Sequence, residues 1–229
     1  MKYTIFAMLI ITIIFFIIVS FFNSYEYMTN LDNEILVYSY KPFKLTLFDN
    51  RPHILILCAH PDDESIFGSR DLLNNNCTVI CLTNADNKIR RREFFNVMQF
   101  TKQTAHILNF PDSIISKDID ELNALWFNLT DEEIYKLYIS QLLHDKYDIV
   151  VSHDRYGEYG HPQHKRLNEL SLYVASHLKI PFNDFQTRYV DETPEERKKA
   201  DDIRKYYISQ KVVMRGSKKN IFRRKSCKN

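Results

Sequence analysis

The stretch "HILILCAHPDDE", residues 53–64, decides how the chain is read. From His53 to Ala59 the apolar run has almost no polar interruption. Strict alternation would mark a strand with one wet face. A continuous short run suits a strand covered on both faces, as in the interior of a parallel sheet. The run ends abruptly in His60, Asp62, Asp63 and Glu64. In open α/β sheets, ligands bind outside the carboxyl ends of the strands. The acids therefore admit two readings. They cap the next helix, whose N-terminus favours negative charge, or they belong to a site.

Working outward, "CTVICLT" (Cys77–Thr83) and "YDIVVSH" (Tyr147–His153) repeat the buried-strand pattern. Helical segments lie between and after them. "SIFGSRDLLNNN" has helical character. Lys88–Leu108 reads as one long amphipathic helix, with Phe94, Val97, Met98, Thr101 and Ala105 at spacings of three and four. "TDEEIYKLYISQLLHD" opens with Thr130 as N-cap and Glu133 completing a capping box. A further helix starts at Pro162, a favoured first position, and the last follows Thr193 and Pro194. Strands alternating with helices predict an α/β domain over residues 51–210. Its sheet should be mainly parallel, Rossmann-like, with helices on both faces.

The flanks differ in character. Tyr3–Phe22 is twenty residues without a charge, about 30 Å as a helix, the thickness of a bilayer core. A cleaved signal would have a shorter apolar core and a small-residue cleavage site. Residues 1–22 are therefore read as one retained transmembrane helix, and residues 23–50 as a polar linker and lead-in. Of 229 residues, 45% are hydrophobic and 26% charged, which excludes a disordered chain. The net charge of +2 is uneven: residues 211–229 carry eight Lys or Arg and no acid, which leaves −6 for the rest. Such a tail is a solvated end or is drawn to anionic lipid head groups. No motif or aromatic interleaving supports nucleic acid. The four cysteines, Cys58, Cys77, Cys81 and Cys227, form no CxxC pair. A cysteine-based zinc site is therefore not expected.

The carboxyl end of the third strand carries a second polar cluster, "SHDRYGEYGHPQH", Ser152–His164. His60 and Asp63 are three apart, and so are His161 and His164. An isolated His-x-x-His is also a common surface pair. Two such clusters at equivalent strand ends can converge on one site. Two imidazoles and a carboxylate with an open fourth position make a catalytic zinc site. A further carboxylate could take a proton from water there. A further His could stabilise an oxyanion or protonate a leaving amine. Such a set hydrolyses an amide.

These two motifs, "AHPDDE" and "YGEYGHPQH", and the order of elements around them resemble the N-acetylglucosaminyl-phosphatidylinositol de-N-acetylase family, which includes the LmbE-like deacetylases. The resemblance covers roughly residues 53–210. It implies an LmbE-like fold, with His60, Asp63 and His164 as ligands of Zn2+ or another divalent metal. It implies Asp62 as general base and His161 as the residue that stabilises the oxyanion. It implies Tyr159 and Arg90 as substrate-binding residues, Arg91 or Arg92 being alternatives to Arg90. Glu93 shares the Arg-x-x-Glu pattern with Arg90, and Glu64 suits a supporting role behind the metal. Gln163 departs from the family pattern. It is expected to face away from the metal and to matter little. The function implied is removal of acetate from N-acetylglucosamine linked to phosphatidylinositol, in glycosylphosphatidylinositol anchor synthesis. The implied location is the endoplasmic reticulum membrane, with the catalytic domain cytosolic. Two alternatives stand beside it: a deacetylase of another N-acetylated amino-sugar conjugate, and an inactive membrane-binding module of the same fold.

Overall fold

The structure, a computed structural model, describes residues 6, 8, 10–14, 25–31, 35–42, 50–112, 128–186 and 193–211. The strands among them are β1 (Tyr25–Leu31), β2 (Ile35–Lys41), β3 (His53–Cys58), β4 (Asn76–Thr83), β5 (Thr104–Phe110), β6 (Ile149–Ser152) and β7 (Phe182–Asp184). They form one sheet in the order β1-β2-β5-β4-β3-β6-β7. Strands β5, β4, β3, β6 and β7 run parallel, and β1 and β2 add an antiparallel pair at one edge. From β3 the chain winds to β4 and β5 on one side, then returns to β6 and β7 on the other. The reversal opens a crevice at the carboxyl ends of β3 and β6, where such sheets bind ligands.

Among the described residues from 50 to 211 the helices are α1 (Asp63–Phe67), α2 (Ser69–Asn74), α3 (Lys88–Thr101), α4 (Asp131–Ile134), α5 (Pro162–Leu178) and α6 (Pro194–Arg204), with a further distorted turn at Gly157–Gly160. Beyond α4 the coil continues as a π-helical and then a 3₁₀ turn to Leu142. Leu55 and Leu57 of β3 pack with Ile134, Ile139, Leu167, Leu170 and Val174 on one face. Ile54, Ile56 and Cys58 pack with Leu72, Phe94, Val97, Met98 and Ile203 on the other. Alternate side chains of one strand thus serve two cores, which explains the uninterrupted apolar run. Burying each aliphatic side chain contributes about 1.5–3 kcal/mol. The Thr130 and Thr193 capping boxes are both present, and Cys58, Cys77 and Cys81 are buried free thiols.

Two expectations on secondary structure need correcting. Residues 25–31 and 35–41, read as lead-in, are strands of the sheet. Only alternate side chains of β2 are buried at its start, Ile35 and Val37, so it lacks the continuous apolar signature. The helix read through Leu108 ends at Thr101. Lys102 takes a left-handed conformation (φ 56°) as its cap. Gln103 then turns inward, donating to Leu72 O and Asn75 O and accepting from the Cys77 N–H. Ala105–Leu108 belong to β5, parallel to β4. The short β7 had no sequence signal. Among the described residues no helix is long and apolar enough to cross a membrane. Most of Tyr3–Phe22, and all of residues 212–229, lie outside the described residues.

One buried group far from the crevice gives a stability test. His106 Nδ1 lies 2.8 Å from Ser39 Oγ. Burial, with the charges of His144 and Lys41, pushes this imidazole down to about 3 from 6.5. Below pH 6.5 the unfolded chain takes up a proton that the folded chain refuses. Stability should therefore fall as pH drops from 6.5 toward 3, by up to about 1.4 kcal/mol per pH unit from this residue. Urea unfolding of wild type and His106→Gln between pH 7.5 and 4.5 should show the difference closing at that slope. Parallel profiles would contradict it.

Candidate metal centre

The turn after β3 and the segment after β6 meet in the crevice. Asp63 opens α1, and its Oδ2 accepts the His60 backbone N–H at 2.8 Å. The same oxygen lies 3.2 Å from His60 Nδ1 and 3.4 Å from His164 Nε2. His60 Nδ1 and His164 Nε2 are themselves 3.2 Å apart. Three donor atoms therefore form a nearly equilateral triangle. Ligands of a tetrahedral ion at about 2.0–2.1 Å are separated by about 3.3–3.4 Å. The donor set and its spacing fit a divalent metal such as zinc. All three side chains are buried, which favours a dry, rigid site. Among the described residues two overlapping donor groups satisfy the broader geometry for an ion: His60, His161 and His164, and Asp63, His153 and His164.

Around the triangle the remaining predicted residues fall into place individually. Asp62 adopts φ 139°, a strained value for a side-chain-bearing residue. Its carboxylate is buried, 3.4 Å from the Arg90 guanidinium. Burial and the Asp63 charge raise the Asp62 carboxyl well above the ordinary range, against the pull of Arg90 and His60. Burial would do the same to Asp63, but His164 and His153 outweigh it and hold that carboxyl well below its usual value. The two adjacent acids are thus driven apart, one toward a base that takes up protons and one toward a permanent anion. His161 caps α5 through Nδ1, which accepts the Gln163 N–H at 3.3 Å. Burial, then the nearby His60 and His164, push His161 down to about 4. Tyr159 packs edge-on against His161 and His164 and remains 60% exposed, so it stands at the mouth.

Of the three arginines, Arg90 reaches the site loop, donating to Pro61 O. Arg91 bonds Ala85 O and covers the Tyr38 ring, while Arg92 is exposed. Glu93 is not in the site: it accepts from the Ser209 backbone N–H and hydroxyl. Glu64 is buried behind the loop, accepting from the Ser65 and Tyr207 hydroxyls and the Asp62 N–H. Burial lifts its carboxyl to about 7.

The sequence reading missed His153, Glu158 and Asp112, and misjudged Gln163. Asp112 Oδ1 lies 3.6 Å from His60 Nε2. Glu158 Oε2 lies 2.7 Å from His164 Nδ1 and 3.0 Å from His153 Nδ1. Burial would raise the Glu158 carboxyl, but the charge and hydrogen bonds of the two histidines hold it down at about 2. Gln163, expected to face away, places Oε1 2.8 Å from His60 Nε2. At the second position of a helix its side chain projects back over the N-terminus, toward the β3 loop.

A family model described as PIG-L, GlcNAc-PI de-N-acetylase, matches residues 55–175, which include every residue of the triangle. Uncharacterized protein L374 of Acanthamoeba polyphaga mimivirus is 37% identical over 134 residues, 51% of this chain. The chain spans about half (55%) of that relative's length. Among solved structures, N,N'-diacetylchitobiose deacetylase from Pyrococcus horikoshii aligns over 72% of this chain and 73% of its own. The TM-score is 0.45 and the identity 16%.

Metal analysis of the zinc-treated full chain should find one equivalent of zinc. His60→Ala, Asp63→Ala and His164→Ala should each lose stoichiometric binding. Stoichiometric zinc in all three variants would show that the ion sits elsewhere.

Proposed function

The chain belongs to the PIG-L family of GlcNAc-PI de-N-acetylases, and from that membership we propose that it is a zinc-dependent amidohydrolase. Its substrate is N-acetylglucosamine linked to phosphatidylinositol, and its product acetate and the free amino sugar. The observation that carries the reading is the triangle of His60 Nδ1, Asp63 Oδ2 and His164 Nε2, with edges of 3.2–3.4 Å, beside a buried Asp62. A zinc ion held by those three atoms would acidify water and polarise an amide carbonyl.

The chain's own groups supply the rest. Asp62, with its affinity for protons raised by burial, takes the proton from the attacking water. Arg90 holds the Asp62 carboxylate in place. His161 has its Nδ1 occupied by the Gln163 N–H. Its Nε2–H is left to donate to the oxyanion that develops on the acetyl oxygen. The proton gathered from water finally passes to the leaving amine. Tyr159, exposed at the rim, would bind the substrate as it enters.

The reading includes a single membrane anchor at residues 3–22, in the endoplasmic reticulum membrane, with the catalytic domain on the cytosolic side. In its support, Phe6, Met8, Ile10, Ile11, Ile13 and Ile14 are all exposed. Exposed apolar side chains clustered in this way mark a surface that meets lipid or protein. The basic tail suits the anionic head groups of the same membrane.

Purified full-length chain in detergent should deacetylate the lipid-linked amino sugar, lose activity to a chelator and regain it with zinc. Turnover of soluble N-acetylglucosamine conjugates alone would overturn the substrate assignment. Asp62→Asn should lower kcat about 10²–10⁴-fold with zinc content unchanged. Unaltered kcat would remove Asp62 from the mechanism.

A further inference from the structure

Beyond the ligand triangle, two buried side chains are placed to decide which nitrogen each ligating imidazole offers. A neutral imidazole presents a lone pair only from the nitrogen that lacks a proton. The partner of the other nitrogen settles which one that is.

Gln163 Nε2 donates to Pro111 O at 2.7 Å. That bond fixes the amide, so the atom 2.8 Å from His60 Nε2 is the carbonyl oxygen Oε1. A carbonyl oxygen can only accept. His60 must then carry its proton on Nε2 and present a bare Nδ1. This is the same Nδ1 that lies 3.2 Å from both Asp63 Oδ2 and His164 Nε2.

Glu158 does the equivalent for His164. Its Oε2 accepts from His164 Nδ1 at 2.7 Å and from His153 Nδ1 at 3.0 Å, and Oε1 accepts the Asp154 N–H at 3.1 Å. With Nδ1 holding its proton on Glu158, Nε2 is the nitrogen that faces the triangle, and a metal there would take the place of any proton on it. His153 Nε2 lies 3.2 Å from the Ala59 backbone N and 3.4 Å from Asp63 Oδ2, so it either accepts the Ala59 N–H or, when the ring is protonated, donates to Asp63, and in neither state has a free lone pair. Asp63, His153 and His164 would otherwise make a rival donor set. These two contacts remove His153 from it.

The backbone is bent to achieve this. Glu158 sits at φ 52°, directly after Gly157 at φ 66°. A left-handed conformation at a glutamate costs on the order of 1 kcal/mol or more and persists where surrounding contacts enforce it. Here the carboxylate's three hydrogen bonds supply that enforcement.

We propose that Glu158 and Gln163 are positioning residues. They fix the protons on His164 Nδ1 and His60 Nε2, so that His164 Nε2, His60 Nδ1 and Asp63 Oδ2 form the donor set and His153 is excluded. This rests on the metal-centre reading given above.

The test combines ¹⁵N NMR of the zinc-loaded, ¹⁵N-labelled full chain with zinc affinity by chelator competition. The spectra should show Nε2–H on His60, Nδ1–H on His164, and His153 without a metal-bound nitrogen. Gln163→Leu should bind zinc about 10–100-fold more weakly. Gln163→Glu retains an acceptor for His60 and should recover most of that loss, whereas a merely space-filling role would favour neither variant. Glu158→Gln, which can accept through only one atom, should weaken binding over the same range. The wild-type spectra stand even where a variant fails to fold. Opposite tautomers on either ring, or equal zinc affinity in Gln163→Leu and wild type, would overturn the inference alone. A wild-type chain that takes up no zinc would overturn the metal-centre reading beneath it.

Discussion

Burying one carboxylate governs the architecture of this molecule. Asp63 Oδ2 lies within 3.4 Å of nitrogens from His60, His153 and His164, and it also accepts a backbone N–H. A lone charge in such a place would cost several kcal/mol, and it survives only where partners surround it. Those partners come from two strand ends that are neighbours in space but about 90 residues apart in sequence. The parallel pairing of β3 and β6 is what brings them together. The two apolar cores hold that pairing rigid from either face.

Dense packing of ionisable groups then becomes a way of assigning roles. Neighbouring acids Asp62 and Asp63 share a turn yet are pushed in opposite directions. One has Arg90 as its nearby cation, and the other is ringed by imidazoles. Pairs of groups whose environments separate their proton affinities are typical of acid–base sites. Glu158 extends the pattern by serving two histidines from one oxygen.

Much of this was legible in the sequence because it is local or periodic. The buried-strand runs at His53 and Cys77, the capping residues Thr130 and Thr193, and Pro162 all act through immediate neighbours. The strand ends pointed to His60, Asp63, His161 and His164 as one cluster, and the family resemblance singled out His60, Asp63 and His164, whose donor atoms lie within 3.4 Å of one another. What escaped depends on distant contacts. Strand β5 was hidden because Ala105 and Leu108 continue the helical spacing of α3, and no Gly or Pro marks the break. Only Lys102 in a left-handed cap ends that helix. Strand β2 carries a half-buried edge pattern at its start that needs β5 beside it to be recognised. Gln163 and Glu158 were missed because their importance lies in the direction of a side chain across a crevice, which spacing along the chain does not encode. A dense run of acid and His between Ser152 and His164 was the available signal, and it was larger than the ligands alone required.

The central claim is that three particular atoms converge on one metal position. A crystal structure of the zinc-loaded chain, with an anomalous difference map at the zinc edge, tests it directly. The account predicts a single peak about 2.0–2.2 Å from His60 Nδ1, Asp63 Oδ2 and His164 Nε2. A peak ligated by His153 instead of His60, or by a cysteine sulfur, would contradict it.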